Sequence, residues 1–311
     1  PIVVAPDDDH IFADDWFSNP TLQYPRADLN FLQEVGAGWF GTVLESDAKD
    51  IEPYPPRSKV WVKYLREEAS DREQMKFLDE ARVYRDSNHK NILKLLGHCT
   101  EAIPYLLILE HYPKGDLKAF LVEHSKDTSL IDSQGANQRS KMALDIAHGL
   151  DWMHKNNFIH PDLAARNCLV GNNGQIVIGD YGLTPQKYKA EYYWSASVGI
   201  PIRWMAPESV ECSPTVIRTM RTTKEGNVWS FGVLLWELCE LGKFPYSELT
   251  DEQVLSRVIT DKNYNLRPPS ITSLPYVTLR NKMAGITQSC FHPLPDNRPT
   301  ISRIVEILEV P

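Results

Sequence analysis

The chain has 311 residues, of which 42% are apolar and 24% charged, values ordinary for a globular protein. That length exceeds one small core and suits two lobes of one catalytic unit. Lys and Arg number 33 against 41 Asp and Glu, a net charge of −8, which argues against nucleic acid or an anionic membrane surface as the main partner.

Residues 1–28 are acidic and punctuated by proline, with Asp7-Asp8-Asp9 and Asp14-Asp15 beside Trp16 and Phe17. They read either as a solvated leader or as a flanking segment whose two aromatics dock on the domain. Next comes Val35-Gly36-Ala37-Gly38-Trp39-Phe40-Gly41-Thr42-Val43. Glycines at this spacing let a backbone close over phosphates without Cβ clashes, and Phe40 at the tip is placed to shield them from water. The pattern also occurs in dinucleotide folds, but here strand patterning lies on both sides and no helix opens after it. Val60-Trp61-Val62-Lys63 is a short apolar strand in which Trp61 and Lys63 share a face. Lys63 is a phosphate-binding candidate or an edge-strand surface lysine. Ser70-x-x-Glu73 is a capping box opening a helix whose inward stripe is Phe77, Leu78, Ala81 and Tyr84, with Glu80 on the same helix. Leu106-Leu107-Ile108-Leu109 reads as a buried strand running into Glu110-His111-Tyr112-Pro113.

Lys114-Gly115-Asp116-Leu117 starts a short helix, and Met142, Ile146, Leu150 and Met153 mark the core face of a long one. His160-Pro161-Asp162-Leu163-Ala164-Ala165-Arg166-Asn167 follows, then the strand-like Gln175-Ile176-Val177-Ile178 and Asp180-Tyr181-Gly182. A carboxylate, an amide and a second carboxylate before a glycine are what phosphoryl transfer needs. Asp162 orients the attacking hydroxyl, while Asn167 and Asp180 hold Mg²⁺ on nucleotide phosphates. Arg166 either neutralises the γ-phosphate or holds Asp162. The segment from Leu183 to Ala206 carries Tyr188, Tyr192 and Tyr193, which read equally as phosphorylation sites or as ordinary loop tyrosines. Ser209–Glu225 is followed by Asn227-Val228-Trp229-Ser230-Phe231-Gly232, opening a buried helix. Its apolar run to Leu238 is too short to span a bilayer. Cys99, Cys168, Cys212, Cys239 and Cys290 are scattered and odd in number, as expected of reduced thiols in a cytosolic protein without a zinc site. The chain begins at Pro1 without Met and without a signal peptide, so a fragment of a longer protein is expected.

Taken together in this order, the motifs resemble those of protein kinases. The resemblance implies an α+β, bilobal fold, with a small mainly-β N-lobe carrying one regulatory helix and a larger mainly-α C-lobe. It implies an acidic flank at 1–28 and a kinase domain at 29–308, with an N-lobe at about 29–110, a hinge at 110–113 and a C-lobe at 114–308. ATP is then expected against Val35, Gly36, Gly38, Phe40, Gly41, Val43, Lys63, Glu110, Tyr112 and Leu169. Asp162 is the base, Lys63 pairs with Glu80, Arg166 and Asn167 complete the catalytic loop, and Asn167 and Asp180 bind Mg²⁺. Leu109 is the gatekeeper, and Tyr181, in place of the usual phenylalanine, stacks with Leu95, Tyr84 and His160. Glu208 pairs with Arg298 as a buried strut.

Three positions depart from the kinase pattern. Trp61 stands where a small residue normally roofs adenine, so the indole either narrows that pocket or rotates outward. Pro161 replaces an arginine that pairs with a phosphate on the activation segment, so activation through that contact is not expected. Asn227 replaces an aspartate and accepts backbone N–H bonds without charge assistance.

Gly38-Trp39-Phe40-Gly41, Glu101-Ala102-Ile103-Pro104-Tyr105-Leu106-Leu107, Ile178-Gly179-Asp180-Tyr181-Gly182-Leu183, Asn227 and the long stretch before it are similar to the lemur tyrosine kinases, over roughly Phe31 to Leu308. In that family a short membrane-anchored N-terminus precedes a cytosolic kinase domain and a long tail. The resemblance implies a cytosolic domain of a membrane-anchored parent, with a protein substrate and no nucleic acid. The loop sequence suits tyrosine, with serine or threonine possible. The rival expectation is an interaction module with weak or no nucleotide binding.

Overall fold

The computed structural model describes residues 2–4, 16, 22–126, 130, 132–195, 198–213, 215–270 and 276–310. These fall into two compact units, 16–113 with 179–187, and 2–4 with 114–178 and 188–310. They are the small mainly-β and larger mainly-α parts that the motif order leads one to expect.

The smaller unit is built on one antiparallel sheet. Its strands are β1 (Leu29–Gly38), β2 (Gly41–Lys49), β3 (Arg57–Leu65), β4 (Leu95–Cys99) and β5 (Leu106–Glu110), in the order β1-β2-β3-β5-β4. Side chains alternate across a strand, so Val60 and Val62 of β3 enter a core with Leu29, Ala48, Leu96, Leu106 and Ile108. The opposite parity sends Trp61 and Lys63 to the other face. Across the β3–β5 ladder Trp61 stands opposite Leu109, and Lys63 opposite Leu107. Helix α1 (Asp71–Glu80) opens with the expected capping box: Glu73 N–H donates to Ser70 Oγ, and Ser70 N–H donates to Glu73 Oε2 at 2.9 Å. Such a cap is worth about 1 kcal/mol. Phe77, Leu78 and Ala81 are buried, and the helix breaks at Ala81 before a short continuation over Arg82–Asp86.

Of the two readings of the acidic flank, Trp16 supports docking. It is 1% exposed, edge-on to His98 at 5.3 Å and beneath the Arg85 guanidinium at 4.6 Å. Phe17 and both Asp runs lie outside the described residues. Further on, Tyr24 N–H donates to His98 O at 2.9 Å and the Arg26 guanidinium donates to Ala102 O at 3.0 Å, so this stretch is laid along β4.

In the larger unit, helix α2 (Leu117–Glu123) is capped by Asp116, whose Oδ1 accepts from Ala119 N–H at 2.8 Å. Met142, Ile146, Leu150 and Met153 of α3 (Ser133–Lys155) are all buried, as their spacing predicts. A hairpin of β6 (Cys168–Val170) and β7 (Ile176–Ile178) follows. Helix α4 (Lys224–Cys239) is buried along almost its whole length, α5 (Val277–Cys290) packs on it, and α6 (Ile301–Glu309) packs on α3. Within the long stretch before α4, residues 210–212 and 216–219 pair antiparallel, and Ile2–Val4 adds a parallel strand to the latter. The Glu208–Arg298 strut is bidentate, with Nη1 2.5 Å and Nη2 2.8 Å from the two carboxylate oxygens. All five cysteines are free thiols. Among the described residues, no helix is long and apolar enough to cross a membrane.

Candidate active site

The glycine-bearing β1–β2 hairpin turns at Gly38 and Gly41, which face each other in register. Gly38 has no room for a side chain: a Cβ there would lie 2.6 Å from the Phe40 ring and 2.7 Å from Gly182 O. Gly36 is packed against the Leu183 side chain, and Val35 is 39% exposed. Phe40 is fully buried and does not sit at a solvent-facing tip. Its ring lies 5.7 Å from Phe77 and 4.3 Å beneath the Lys63 ammonium. Val43 is buried and stands opposite Lys63 in the ladder.

Lys63 is not an edge-strand surface lysine: β3 is the middle strand, and the residue is 6% exposed. Among the described residues, however, no ion pair joins it to Glu80. The Glu80 side chain is 39% exposed, and its carboxylate accepts from Trp39 Nε1 at 3.2 Å and lies 4.0 Å from the Lys76 ammonium. Lys63 instead faces the aromatic rings of Phe40 and Phe77. The expected Lys63–Glu80 contact is therefore not closed in this arrangement, although Lys63 is the charge that most opposes the burial raising the Glu80 pKa. Its competitor was visible in sequence as Trp39, whose indole N–H needs an acceptor.

Trp61 faces inward. Its ring stacks on Tyr181 at 4.3 Å with an interplanar angle of 18°, and on His111 at 6.0 Å and 27°. Its Nε1 is buried with no hydrogen-bond partner. Tyr181 Oη donates to the backbone carbonyl of Glu110 at 2.7 Å. Burial pushes that phenol well up, against a hydrogen bond from the Tyr112 backbone. The Glu110 carboxylate accepts from Tyr112 Oη at 3.1 Å and from Lys94 N–H at 3.3 Å, and takes the Tyr54 hydroxyl as well. So Glu110 is fixed by its side chain while its carbonyl faces the phenol. The ring of Tyr181, expected in a stack with Leu95, Tyr84 and His160, is found against Trp61. Asp180 accepts from Gly182 N–H through Oδ1, and Tyr84 Oη lies 3.4 Å from its backbone nitrogen.

In the larger unit, Asp162 is the centre of a dense network. Arg166, fully buried, donates from Nη2 to Asp162 Oδ1 at 2.5 Å and from Nη1 to Glu191 Oε2 at 2.9 Å. Its plane lies over the rings of Tyr192 and Trp204 at 4.5 and 4.2 Å. Burial works against the Arg166 charge, but Asp162, Tyr192, Glu191 and Glu237 outweigh it and raise the pKa. Of the two roles open to Arg166, holding Asp162 is the one it plays here. Asn167 Nδ2 donates to Asp162 O at 2.6 Å and to Asp162 Oδ2 at 2.9 Å. Tyr192 Oη donates to that same Oδ2 at 2.6 Å and accepts from Arg166 Nε at 2.8 Å. Tyr188 Oη donates to Asp116 Oδ1 at 2.7 Å; burial, then that carboxylate, raise its pKa. Leu169 is 3% exposed in β6 and bridges to Asp116.

Two anchors hold the loop from below. The Asn227 side chain is fully buried, accepts from His160 N–H at 2.9 Å and donates to His160 O at 2.7 Å. The amide thus clasps both faces of one residue's backbone, and a carboxylate has no hydrogen for the second bond. His160 itself uses Nδ1 to accept from Asp162 N–H at 3.2 Å, a packing and orienting role. The second anchor, Glu237, was not found by sequence reasoning. Its Oε2 accepts from Ala165 N–H at 3.0 Å and Trp204 Nε1 at 2.9 Å, and Lys118 is 3.4 Å from Oε1. A glutamate inside the apolar run Val233–Cys239 was the available signal, since a buried carboxylate needs partners.

A model of the protein tyrosine and serine/threonine kinase family matches residues 29–308. The chain is 40% identical over 285 residues to serine/threonine-protein kinase LMTK3 of Mus musculus, and 38% over 282 residues to serine/threonine-protein kinase LMTK1 of Homo sapiens. Each alignment covers 90% of this chain and 20% of the relative. It is also 34% identical over 317 residues to the insulin receptor of Xenopus laevis, 99% of this chain and 22% of that protein. The chain thus spans about a fifth of the length of these relatives. With the motif order, both folded units and the matched residues in agreement, the chain belongs to the protein tyrosine and serine/threonine kinase family, within which it resembles the lemur kinases.

Proposed function

We propose that this kinase domain transfers the γ-phosphoryl group of ATP to a tyrosine hydroxyl of a protein, with Asp162 as the base. The supporting observation is Tyr192, whose phenol donates to Asp162 Oδ2 at 2.6 Å within the chain itself. The Asp162 carboxylate therefore accepts a phenolic O–H beside the Arg166 guanidinium, which itself lies over the Trp204 ring. In the reaction Asp162 accepts the proton of the attacking hydroxyl as its oxygen bonds to the γ-phosphorus and the bond to the β-bridging oxygen breaks, leaving ADP. Arg166 fixes Asp162 in place, Asn227 and Glu237 hold the loop, and Lys63 is the residue that would meet the α- and β-phosphates.

The donor set suits Mg²⁺. Asn167 turns its Nδ2 toward Asp162, so its amide oxygen is the atom suited to a cation, and Asp180 adds a carboxylate. Two hard oxygen ligands, with phosphates completing the shell, are typical for this ion. Bound there, Mg²⁺ would neutralise charge on the phosphates.

The reading extends to a cytosolic domain, with its boundaries near 29 and 308, of a membrane-anchored parent, and to a protein partner in place of nucleic acid. Serine or threonine is the second substrate reading, carried by the lemur relatives, which are named serine/threonine-protein kinases. Phosphate transfer to a poly-Glu-Tyr polymer and to a basic serine peptide, measured beside Asp162→Asn and Asp180→Ala, decides between them. Loss of a positioned base is expected to cost about 10²–10⁴-fold in rate. Equal signals from the wild-type and variant chains would refute the assignment.

A further inference from the structure

We propose that Tyr54 is a phosphorylation site: its phenol takes the γ-phosphoryl group of ATP from the active site of a second copy of this chain, and the phosphate frees the β2–β3 loop from Glu110. The donor rests on the reading of the domain as a tyrosine kinase. The acceptor is read from the smaller unit by itself.

The loop joining β2 to β3 is closed at its base, where Asp50 N–H donates to Pro56 O at 2.9 Å. Tyr54 lies in its turn, its own N–H donating to Ile51 O at 2.9 Å, and every residue from Glu52 to Arg57 is exposed. Among the described residues only two tyrosines are exposed, Tyr54 at 37% and Tyr276 at 40%. An acceptor tyrosine has to enter another molecule's active site, and an exposed loop tip can do so without unfolding a strand or a helix. What sets Tyr54 apart is where its hydroxyl goes. It donates to Glu110 Oε1, while Glu110 Oε2 accepts from Tyr112 Oη at 3.1 Å and from Lys94 N–H at 3.3 Å. Partial burial, then the bond to Glu110, raises the Tyr54 pKa, so the phenol keeps its proton until a base removes it. In the transfer the Tyr54 oxygen bonds to the γ-phosphorus, the bond to the β-bridging oxygen breaks to leave ADP, and the phenolic proton passes to Asp162 of the second copy. The ester oxygen then has no hydrogen to donate. The phosphate also brings a charge of about −1.5 to −2 up to the Glu110 carboxylate, on a loop that already holds Asp50 and Glu52. Attraction becomes repulsion. Transfer thus catches the loop in its released arrangement, and the phosphate keeps it from returning. Glu110 keeps Tyr112 and Lys94, so the end of β5 stays held while the loop tip leaves.

In the test, a tagged Asp162→Asn chain is the acceptor, mixed with untagged wild type, Mg²⁺ and ATP, and poly-Glu-Tyr is labelled in a parallel sample. Phosphopeptide mass spectrometry of the tagged chain is expected to place phosphate on Tyr54, at a rate that rises with wild-type concentration. Loop release is read by trypsin, which cuts after Arg57 at the end of the loop. Because the lost bond has an ionised partner, cleavage there is expected to be at least about tenfold faster in the phosphorylated chain. Tyr54→Phe has no acceptor oxygen and no hydroxyl for Glu110. It is expected to label poly-Glu-Tyr as the wild type does, and to be cut after Arg57 faster than unphosphorylated wild type whether or not ATP is present. Labelled poly-Glu-Tyr with no phosphate on Tyr54 would overturn the proposal alone. So would phosphate on Tyr54 with cleavage unchanged. No label on either would overturn the tyrosine-kinase reading, and the proposal with it.

Discussion

Tyr192→Phe tests the assignment of Asp162 most directly. The substitution deletes one oxygen that both donates to Asp162 Oδ2 at 2.6 Å and accepts from Arg166 Nε at 2.8 Å. Each of these bonds involves an ionised partner, and such a bond contributes about 1.5–3 kcal/mol. The ring stays, so the contact with the guanidinium at 4.5 Å and the burial of the side chain are retained. Asp162 also keeps Arg166 and Asn167, so the loop itself is not expected to collapse. The loss falls on the arrangement in which Tyr192 occupies the base, and a net weakening of about 2 kcal/mol corresponds to roughly 30-fold in population. A peptide substrate competes for that same carboxylate oxygen. The expected outcome is a peptide KM lower by at least about tenfold in initial rates of dephosphorylated protein, with kcat unchanged or higher. Asp162→Asn in the same background should abolish the gain. If Tyr192→Phe leaves KM within about twofold of wild type while its melting temperature is unaltered, Tyr192 does not compete with substrate and the role given to Asp162 fails.

Two further outcomes follow from the geometry. Arg298→Met leaves Glu208 facing an apolar chain and orphans the carbonyls of Glu225 and His292, each 3.0 Å from the guanidinium; it is expected to cost about 3–5 kcal/mol, read as a lower urea midpoint at unchanged slope. A loss below about 1 kcal/mol would show the strut to be dispensable. His98 titrates at about 4, below its usual 6.5, because burial and then the Arg85 charge disfavour its protonated form. Its folded pKa is depressed, so the unfolded chain binds the extra proton between pH 6.5 and 4, and stability falls as pH is lowered through that window. His98→Gln should flatten this part of the urea-midpoint profile, and an unchanged slope would refute it.

The order of elements was legible because periodicity and caps act locally. Alternation in Val60–Lys63 sets which face is core, Ser70 and Glu73 start a helix, and the stripe on α3 is buried as spaced. The motif residues were legible for the same reason, since loop chemistry such as Asp162 with Asn167 is a matter of short spacing. What the sequence left open was competition between partners distant along the chain. Lys63 and Glu80 were readable as a pair, but the ring of Phe40 and the indole of Trp39 reach them first. Trp61 was readable as inward or outward, and a stacking partner more than a hundred residues later decides it. Arg166 had two roles open until Glu191 and Tyr192 closed around it. Trp16 shows the same limit in the other direction: an acidic composition suggests solvation, and one large apolar ring with a cation above it is enough to dock its position.

The side chain beneath the catalytic loop carries a last consequence. An aspartate in place of Asn227 would bring a negative charge under His160 and, with it, a proton equilibrium. The amide has neither. It binds the His160 backbone in both directions with no titrating group of its own, while burial lowers the pKa of its neighbour His154. The clasp therefore adds no proton equilibrium of its own beneath the catalytic loop, and any acid sensitivity of turnover has to come from other groups.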